Sequence, residues 1–270
     1  MYLGLGLRLG SGTVAGFDAD AAAYFDRAGV TNATAKTQIN SFVKGVKALG
    51  LYNDMVSWPL RSAQNAGTGT TAYSLGGLGI YNGTLTNGPT WGTDGITFVE
   101  ASIHYINIPT FTASPSSYMI GAVFNPSTTG AGASVIIANN GTGAADAFQI
   151  TDASSNTLGG GHRQVAGSTY VQPPNQTYTT GVFQFAQQGW TGSVVRRVLN
   201  KSSEQTTNSG AFGGFISPLR INSRGDGVLV GSNKIVSFAY MLHSQGASLA
   251  TANSVYDLYN STLGTGLGLP

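Results

Sequence analysis

Apolar and polar residues alternate along most of the chain after residue 80. Tyr118, Ile120, Ala122 and Phe124 share one side of such a segment, and this period of two predicts a β-strand. Further strands are predicted over Ile103 to Ile108, Ser134 to Ala138, Ala147 to Ile150, Gly181 to Ala186, Ser193 to Leu199, Leu219 to Asn222 and Lys234 to Leu242. Clusters of Gly and Asn predict turns at 139–141, 159–161, 208–210 and 224–227. Because no helical pattern separates these strands, the sequence predicts two packed antiparallel sheets.

The chain before residue 60 has a helical period instead. Apolar residues recur at spacings of three and four between Asp18, a capping residue, and Gly29, a stop signal. A second helix is predicted from Thr31 or Asn32 to Gly50, and a short third turn over 51–58. One more helix is predicted within 247–263.

These patterns divide the chain into five segments: an N-terminal arm (1–16), a small helical segment (17–60), a linker (61–79), a β-sandwich domain (80–246), and a C-terminal helix with its tail (247–270). The arm has Leu3, Leu5, Leu7 and Leu9 at alternate positions, and the tail GTGLGLP repeats the Gly/Leu alternation. The arm is interpreted either as a disordered terminus or as an assembly arm that pairs with the tail or with a partner.

Composition narrows the classes of function. Only 9% of the residues are charged and 39 are Gly, while 41% apolar content suffices for a folded core. The net charge is +2 with scattered basic residues, so we expect no nucleic-acid partner. The absence of Cys excludes disulfides. Arg8 and several Gly interrupt the apolar N-terminus, which predicts neither a signal peptide nor a membrane contact.

Catalytic groups are sparse. The three His lie far apart in sequence, so we predict no metal and no cofactor. Glu100 and Glu204 are the only Glu residues, and the acidic pair Asp18 and Asp20 lies at a helix start, where capping is expected. A glycosidase would need two facing carboxylates, which leaves open a meeting of Asp146 or Asp152 with Glu100. The sequence predicts a protein that is not an enzyme.

Aromatic residues are the remaining candidates for ligand binding. Trp190, Tyr170 and Tyr178 lie in or beside segments rich in turn residues, where a ring could stack on a sugar. The alternative is that these rings are buried at the edge of the sandwich.

Two segments carry family resemblances. Leu85 to Pro109, which includes Gly88-Pro89-Thr90-Trp91, resembles the first strands of concanavalin A-like (laminin G-type) jelly rolls. This resemblance implies a mainly β fold: a concanavalin A-like antiparallel jelly-roll sandwich with a short N-terminal helical hairpin and one C-terminal helix.

Phe17 to Phe25, followed by 36–47, resembles a segment of bacteriophage structural proteins, although the aromatic-proline stretch of that family is reduced here to Ser57-Trp58-Pro59-Leu60. The resemblance implies a virion protein, as a capsid decoration, head fibre or tail component. Its partners would be other virion proteins, and it would form a homo-oligomer such as a trimer through its terminal arms. The alternative hypothesis is a carbohydrate-binding module for host surface glycans, and a glycoside hydrolase is the third.

Overall fold

Two antiparallel sheets packed face to face form the body of the protein, with two helices before them and one after them. The structure is a computed structural model that describes residues 16–111, 116–126, 134–139, 148–153, 156–163, 170–210, 218–224, 231–244 and 248–270. This architecture confirms the predicted mainly β sandwich with its N-terminal helical pair and its C-terminal helix. The arm residues Leu3, Leu5, Leu7 and Leu9 lie outside the described residues.

The helices are α1 (Ala19–Ala28), α2 (Ala33–Ala48) and α3 (Leu249–Ser261). Side-chain oxygens cap all three: Asp18 accepts from the Asp20 amide, Asn32 from Ala35 and Ser248 from Thr251. Gly29 ends α1 in the left-handed conformation, with φ 65°. No helix among the described residues is long and apolar enough to cross a membrane.

The strands, in chain order, are β1 (Met55–Pro59), β2 (Thr71–Ala72), β3 (Gly83–Thr86), β4 (Thr90–Trp91), β5 (Ile96–Phe98), β6 (Tyr105–Ile108), β7 (Ser117–Pro126), β8 (Ser134–Asn139), β9 (Phe148–Ala153), β10 (Thr157–Arg163), β11 (Tyr170–Val171), β12 (Gln176–Thr177), β13 (Gln184–Thr191), β14 (Val194–Leu199), β15 (Gln205–Asn208), β16 (Leu219–Ile221) and β17 (Lys234–Leu242).

We call the two sheets the helix-packed sheet and the open sheet. The helix-packed sheet has the order β15-β14-β13-β7-β17-β5-β4, and β1 pairs with β17 beside β5. The open sheet has the order β11-β10-β9-β8-β16-β6-β3-β2, and β12 pairs with β10. A register shift between Val236 and Phe238 interrupts the pairing of β17 with β7.

Two predicted local structures are wrong. The third helical turn predicted over 51–58 is a single 3-10 turn, Tyr52–Asp54, followed by β1, because pairing with β17 buries all five residues of this strand. The turn predicted at 159–161 lies inside β10. A Cβ on Gly160 or Gly161 would meet the backbone of β9 or β11, so the glycines let three strands approach closely.

The core has two apolar layers, one on each face of the helix-packed sheet. Trp58, Phe124 and Phe148 lie between the sheets. On the other face, Phe42 of α2 packs edge-on against Phe238 at 5.6 Å between ring centroids, and Tyr259 of α3 packs on the same ring at 4.6 Å. The helices therefore belong to the same packed unit as the sandwich.

The C-terminal tail lies on its own chain. Arg61 Nη1 donates to the carbonyls of Leu263 and Thr265, at 3.1 and 3.0 Å. Tyr256 donates to the carbonyl of Pro270, and Leu269 is buried. The tail thus contacts the body of its own protein, whereas its pairing with the arm or with a partner stays a prediction.

Candidate functional site

The aromatic residues predicted to bind sugars lie in different environments. Trp190 of β13 is 5% exposed and stacks on Tyr118, with 6.1 Å between the ring centroids. Tyr178 is 4% exposed and packs edge-on against Phe124. Tyr170 is half-buried on the edge strand β11. Two of the three rings are thus core residues, as in the alternative interpretation, and a glycan contact by the set stays a prediction.

A polar cluster lies inside the sandwich near Trp190. Burial lowers the pKa of His162 to about 4, so its imidazole is neutral at pH 7. Its Nδ1 lies 3.2 Å from Tyr118 Oη, and its Nε2 shares a hydrogen bond with Ser209 Oγ. Arg197 is fully buried and donates to four backbone carbonyls, including Leu158 at 3.1 Å. These bonds join the two sheets, which indicates a structural role.

The acidic residues are mostly engaged in ion pairs. Asp18 and Asp20 both contact Lys47 Nζ, at 2.7 and 2.6 Å, and Asp18 also caps α1 as predicted. Glu204 pairs with Arg196 at 3.1 Å. Asp152 is fully buried beside Lys234, whereas Glu100 is exposed on the 3-10 turn Glu100–Ser102. Asp146 lies outside the described residues.

An open pocket of about 490 Å³ lies where the start of α1, the end of α2 and the turn before β1 meet. We call it the Tyr52 pocket; it is lined by Asp20, Lys47, Gly50, Tyr52, Asn53 and Gly77. Its volume is within the usual range for small-ligand sites. The lining residues come from three separate parts of the chain, so no local motif in the sequence indicates this pocket.

Backbone contacts fix the shape of the Tyr52 pocket. The Gly77 amide donates to the Tyr52 carbonyl at 2.8 Å. A Cβ on Gly77 would lie 2.9 Å from Asn53 Cα and 2.9 Å from Tyr52 Cδ1. A side chain at residue 77 would therefore displace the turn that carries Tyr52 and Asn53.

The Tyr52 pocket combines an aromatic ring with hydrogen-bonding groups. Lys47 Nζ lies 4.9 Å from the Tyr52 ring centroid, in a cation-π contact. Burial, assisted by the Asp20 carboxylate, raises the pKa of Tyr52 to about 12, so its phenol stays protonated at neutral pH. The Asn53 side chain is exposed and makes no hydrogen bond to any described residue. The pocket thus presents a phenol, a carboxylate and an amide.

A second pocket, of about 440 Å³, lies at the edge of the sandwich and carries no charged side chain. We call it the amide pocket; it is lined by Asn175, Gln176, Thr177, Leu199, Asn200, Ser202, Ser203 and Gln205. Gln176 Nε2 donates to Ser202 Oγ at 2.9 Å and to the Ser203 carbonyl at 3.1 Å. Its polar groups partly satisfy one another, and no ring lines it, so the Tyr52 pocket is the better candidate site.

The two antiparallel sheets with their crossed connections form a β-sandwich of the jelly-roll type. No protein-family model and no curated protein matches the chain. Among solved structures, it is similar to the receptor binding domain of botulinum neurotoxin mosaic serotype C/D, with a TM-score of 0.56 and 12% identity over 76% of this chain and 51% of that one.

The binding domain of botulinum neurotoxin serotype D is similar to the same degree, with a TM-score of 0.56 and 10% identity over 77% of this chain and 52% of that one. Trypanosoma rangeli sialidase in complex with sialic acid gives a TM-score of 0.56 and 11% identity, over 85% of this chain and 40% of that one. The chain thus spans about half of the toxin domains and two fifths of the sialidase. At these identities the likeness shows the fold alone.

Proposed function

We propose that this protein is a carbohydrate-binding module that holds a glycan in the Tyr52 pocket without cleaving it. The observation that carries the proposal is the convergence of the Tyr52 ring, the Asp20 carboxylate and the free Asn53 amide in one open pocket. A ring face covers the apolar side of a sugar, while carboxylate and amide groups bond to its hydroxyls. The fold is compatible with this role, since it is shared with a receptor binding domain and with a sialidase.

The charge of the pocket favours a neutral glycan. Lys47 contacts two carboxylates, Asp18 and Asp20, so these three side chains together carry one net negative charge. Because Lys47 is already paired with both carboxylates, it is not a free cation for a sialylated or sulfated sugar. We therefore propose neutral hexose-containing glycans as the ligand class.

The state of the carboxylates supports binding without hydrolysis. Most glycosidases use one carboxylic acid that donates a proton and a second carboxylate across the scissile bond. The hydrogen bond from Lys47 lowers the pKa of Asp18, which keeps this group ionised and unable to act as the acid. Glu204 is held by Arg196, and Asp152 is buried away from solvent.

A glycan array probed with the full chain tests the proposal. We expect binding to neutral oligosaccharides, and loss of that binding in Tyr52→Ala. Tyr105→Ala is the matched control, because Tyr105 is also half-buried under a cation, with Arg220 Cζ 4.5 Å from its ring centroid. The absence of binding to any neutral glycan at millimolar concentration would contradict the proposal. Binding that survives Tyr52→Ala but is lost in Ser203→Trp would move the site to the amide pocket.

The bacteriophage role stays a separate prediction that rests on the sequence resemblance. A virion protein that displays a glycan-binding sandwich would combine the two hypotheses. Deletion of residues 1–16 should prevent incorporation into particles while the sandwich still folds. Unchanged incorporation, measured by mass spectrometry of purified particles, would contradict the role of the arm.

A further inference from the structure

One ion pair crosses the interior of the sandwich. Lys234 begins β17 of the helix-packed sheet, and Asp152 lies in β9 of the open sheet. Lys234 Nζ is 3.0 Å from Asp152 Oδ2, and both side chains are 0% exposed. Isolated charges are costly to bury, so each of these two groups depends on the other and on its hydrogen bonds.

Three oxygen atoms surround the Lys234 nitrogen. Lys234 Nζ donates to Ser134 Oγ and to the Val135 carbonyl, both at 3.1 Å, and Asp152 Oδ2 lies 3.0 Å away. A neutral amine would keep the first two hydrogen bonds through its two N–H groups, which would leave its lone pair for the Asp152 carboxyl group.

The neighbours of Asp152 leave one oxygen available. Ser232 Oγ donates to Asp152 Oδ2 at 2.7 Å. Asp152 Oδ1 is buried and has no hydrogen-bond partner among the described residues. A buried carboxyl oxygen without a hydrogen-bond partner is costly to the folded state.

Burial also favours the uncharged form of Lys234. Burial lowers the pKa of Lys234 and outweighs the opposite effect of the Asp152 carboxylate. A buried lysine that loses its proton becomes a nucleophile. An amine and a carboxylic acid held in contact would be the reactants of a condensation.

We propose that Lys234 and Asp152 condense to an isopeptide bond that covalently joins the two sheets. The Nζ lone pair forms a bond to Asp152 Cγ, and one Cγ–O bond breaks with its electron pair. The departing oxygen takes the carboxyl proton and one amine proton and leaves as water. The amide nitrogen keeps one N–H, and no group is oxidised or reduced. Because the reacting groups are held in contact, the condensation is faster than it would be between the same side chains free in solution.

The bond would stabilise a chain that contains no disulfide. It would close a loop of 83 residues, from 152 to 234, in a sequence without Cys. Such a cross-link restricts the unfolded chain and so stabilises the folded one. This inference is independent of glycan binding.

Intact-mass spectrometry of the folded full chain tests the proposal. We expect a mass lower than that of the sequence by one water, and no such loss in Asp152→Ala after correction for the substitution. A wild-type mass equal to that of the sequence would overturn the proposal, whatever the variant does.

Peptide mapping must locate the lost water, because an Asp-Gly step such as Asp94-Gly95 can also lose water. Trypsin should yield a branched species in which peptide 62–163 is joined to peptide 225–270, with no cleavage after Lys234. Lys201→Arg is the matched control: Lys201 lies 2.9 Å from Asp257 in an exposed pair, so this variant should keep the mass loss. A water loss located at an Asp-Gly step would also overturn the proposal.

Discussion

At the scale of single residues, burial determines what the polar side chains of this protein do. Arg196 and Arg197 are adjacent in β14, yet Arg196 pairs with Glu204 near the surface while Arg197 is enclosed between the sheets. The sequence shows two basic neighbours and predicts that they alternate across a strand. The four carbonyls that Arg197 contacts come from β10 and from Pro173 and Pro174, which only the tertiary structure brings together.

Removal of the Arg197 side chain should therefore destabilise the fold strongly. In Arg197→Ala the carbonyls lose their buried donor, and we expect the free energy of unfolding to fall by about 3 kcal/mol or more. Arg196→Ala is the control and should cost less than about 1 kcal/mol, as for a partly exposed ion pair. Urea unfolding of both variants measures the difference, and equal losses would contradict this role of Arg197.

His162 should make stability depend on pH. Its folded pKa of about 4 lies below the ordinary value of 6.5, so the unfolded chain binds more protons between these values. The free energy of unfolding should therefore fall as the pH drops from 6.5 to 4, by up to about 3 kcal/mol, and this contribution should level off below pH 4. His162→Gln should reduce this slope, whereas His243→Gln should keep it. Denaturation at several pH values tests this, and an unchanged slope in His162→Gln would refute it.

At the scale of elements, the sequence pattern predicts those strands in which apolar and polar side chains alternate. The runs around Tyr118, Val194 and Lys234 form strands β7, β14 and β17, as their alternation indicates. Strands β1 and β10 are among those that the pattern does not predict, and the reasons differ. Strand β10 contains three consecutive Gly residues, which have no side-chain pattern, and β1 exists because β17 offers it a partner. The sequence does not indicate the Tyr52 pocket either, because its lining residues, such as Gly77 and Asp20, are distant in sequence.

The close approach at Gly160 gives a test at this scale. Its φ is +111°, and an added Cβ would meet the Gln149 carbonyl, so Gly160→Ala should destabilise the sandwich by several kcal/mol, which we estimate at about 3. Gly192 also has a positive φ, +56°, but a Cβ there meets nothing within 4 Å. Gly192→Ala should cost about 1 kcal/mol. Urea midpoints compare the two, and equal costs would show that strand proximity is unimportant.

At the scale of the whole molecule, the helices and the sandwich are one unit. The sequence predicts a small helical segment at 17–60, and in the structure Phe42, Phe238 and Tyr259 form one apolar layer. Without α1 and α2, part of the outer face of the helix-packed sheet would be exposed. Sequence periodicity identifies the apolar stripe of each helix, but it does not show which surface covers that stripe.

A chain shortened to residues 51–270 should therefore fail to fold as a stable monomer. Exposure of Phe238, which packs against Phe42 of α2 in the full chain, should cause aggregation and strong binding of a hydrophobic dye. A chain of residues 16–270 is the control, and we expect it to keep the thermal transition of the full chain. A cooperative, soluble fold of 51–270 would show that the helices are dispensable.

The central claim, a neutral-glycan site at Tyr52, is tested most directly by titration calorimetry with the neutral oligosaccharide that binds best on the array. We predict saturable binding by the full chain and by Tyr105→Ala, and a dissociation constant at least about tenfold higher for Tyr52→Ala, the equivalent of about 1.4 kcal/mol. Equal affinity of all three proteins would contradict the assignment of the site.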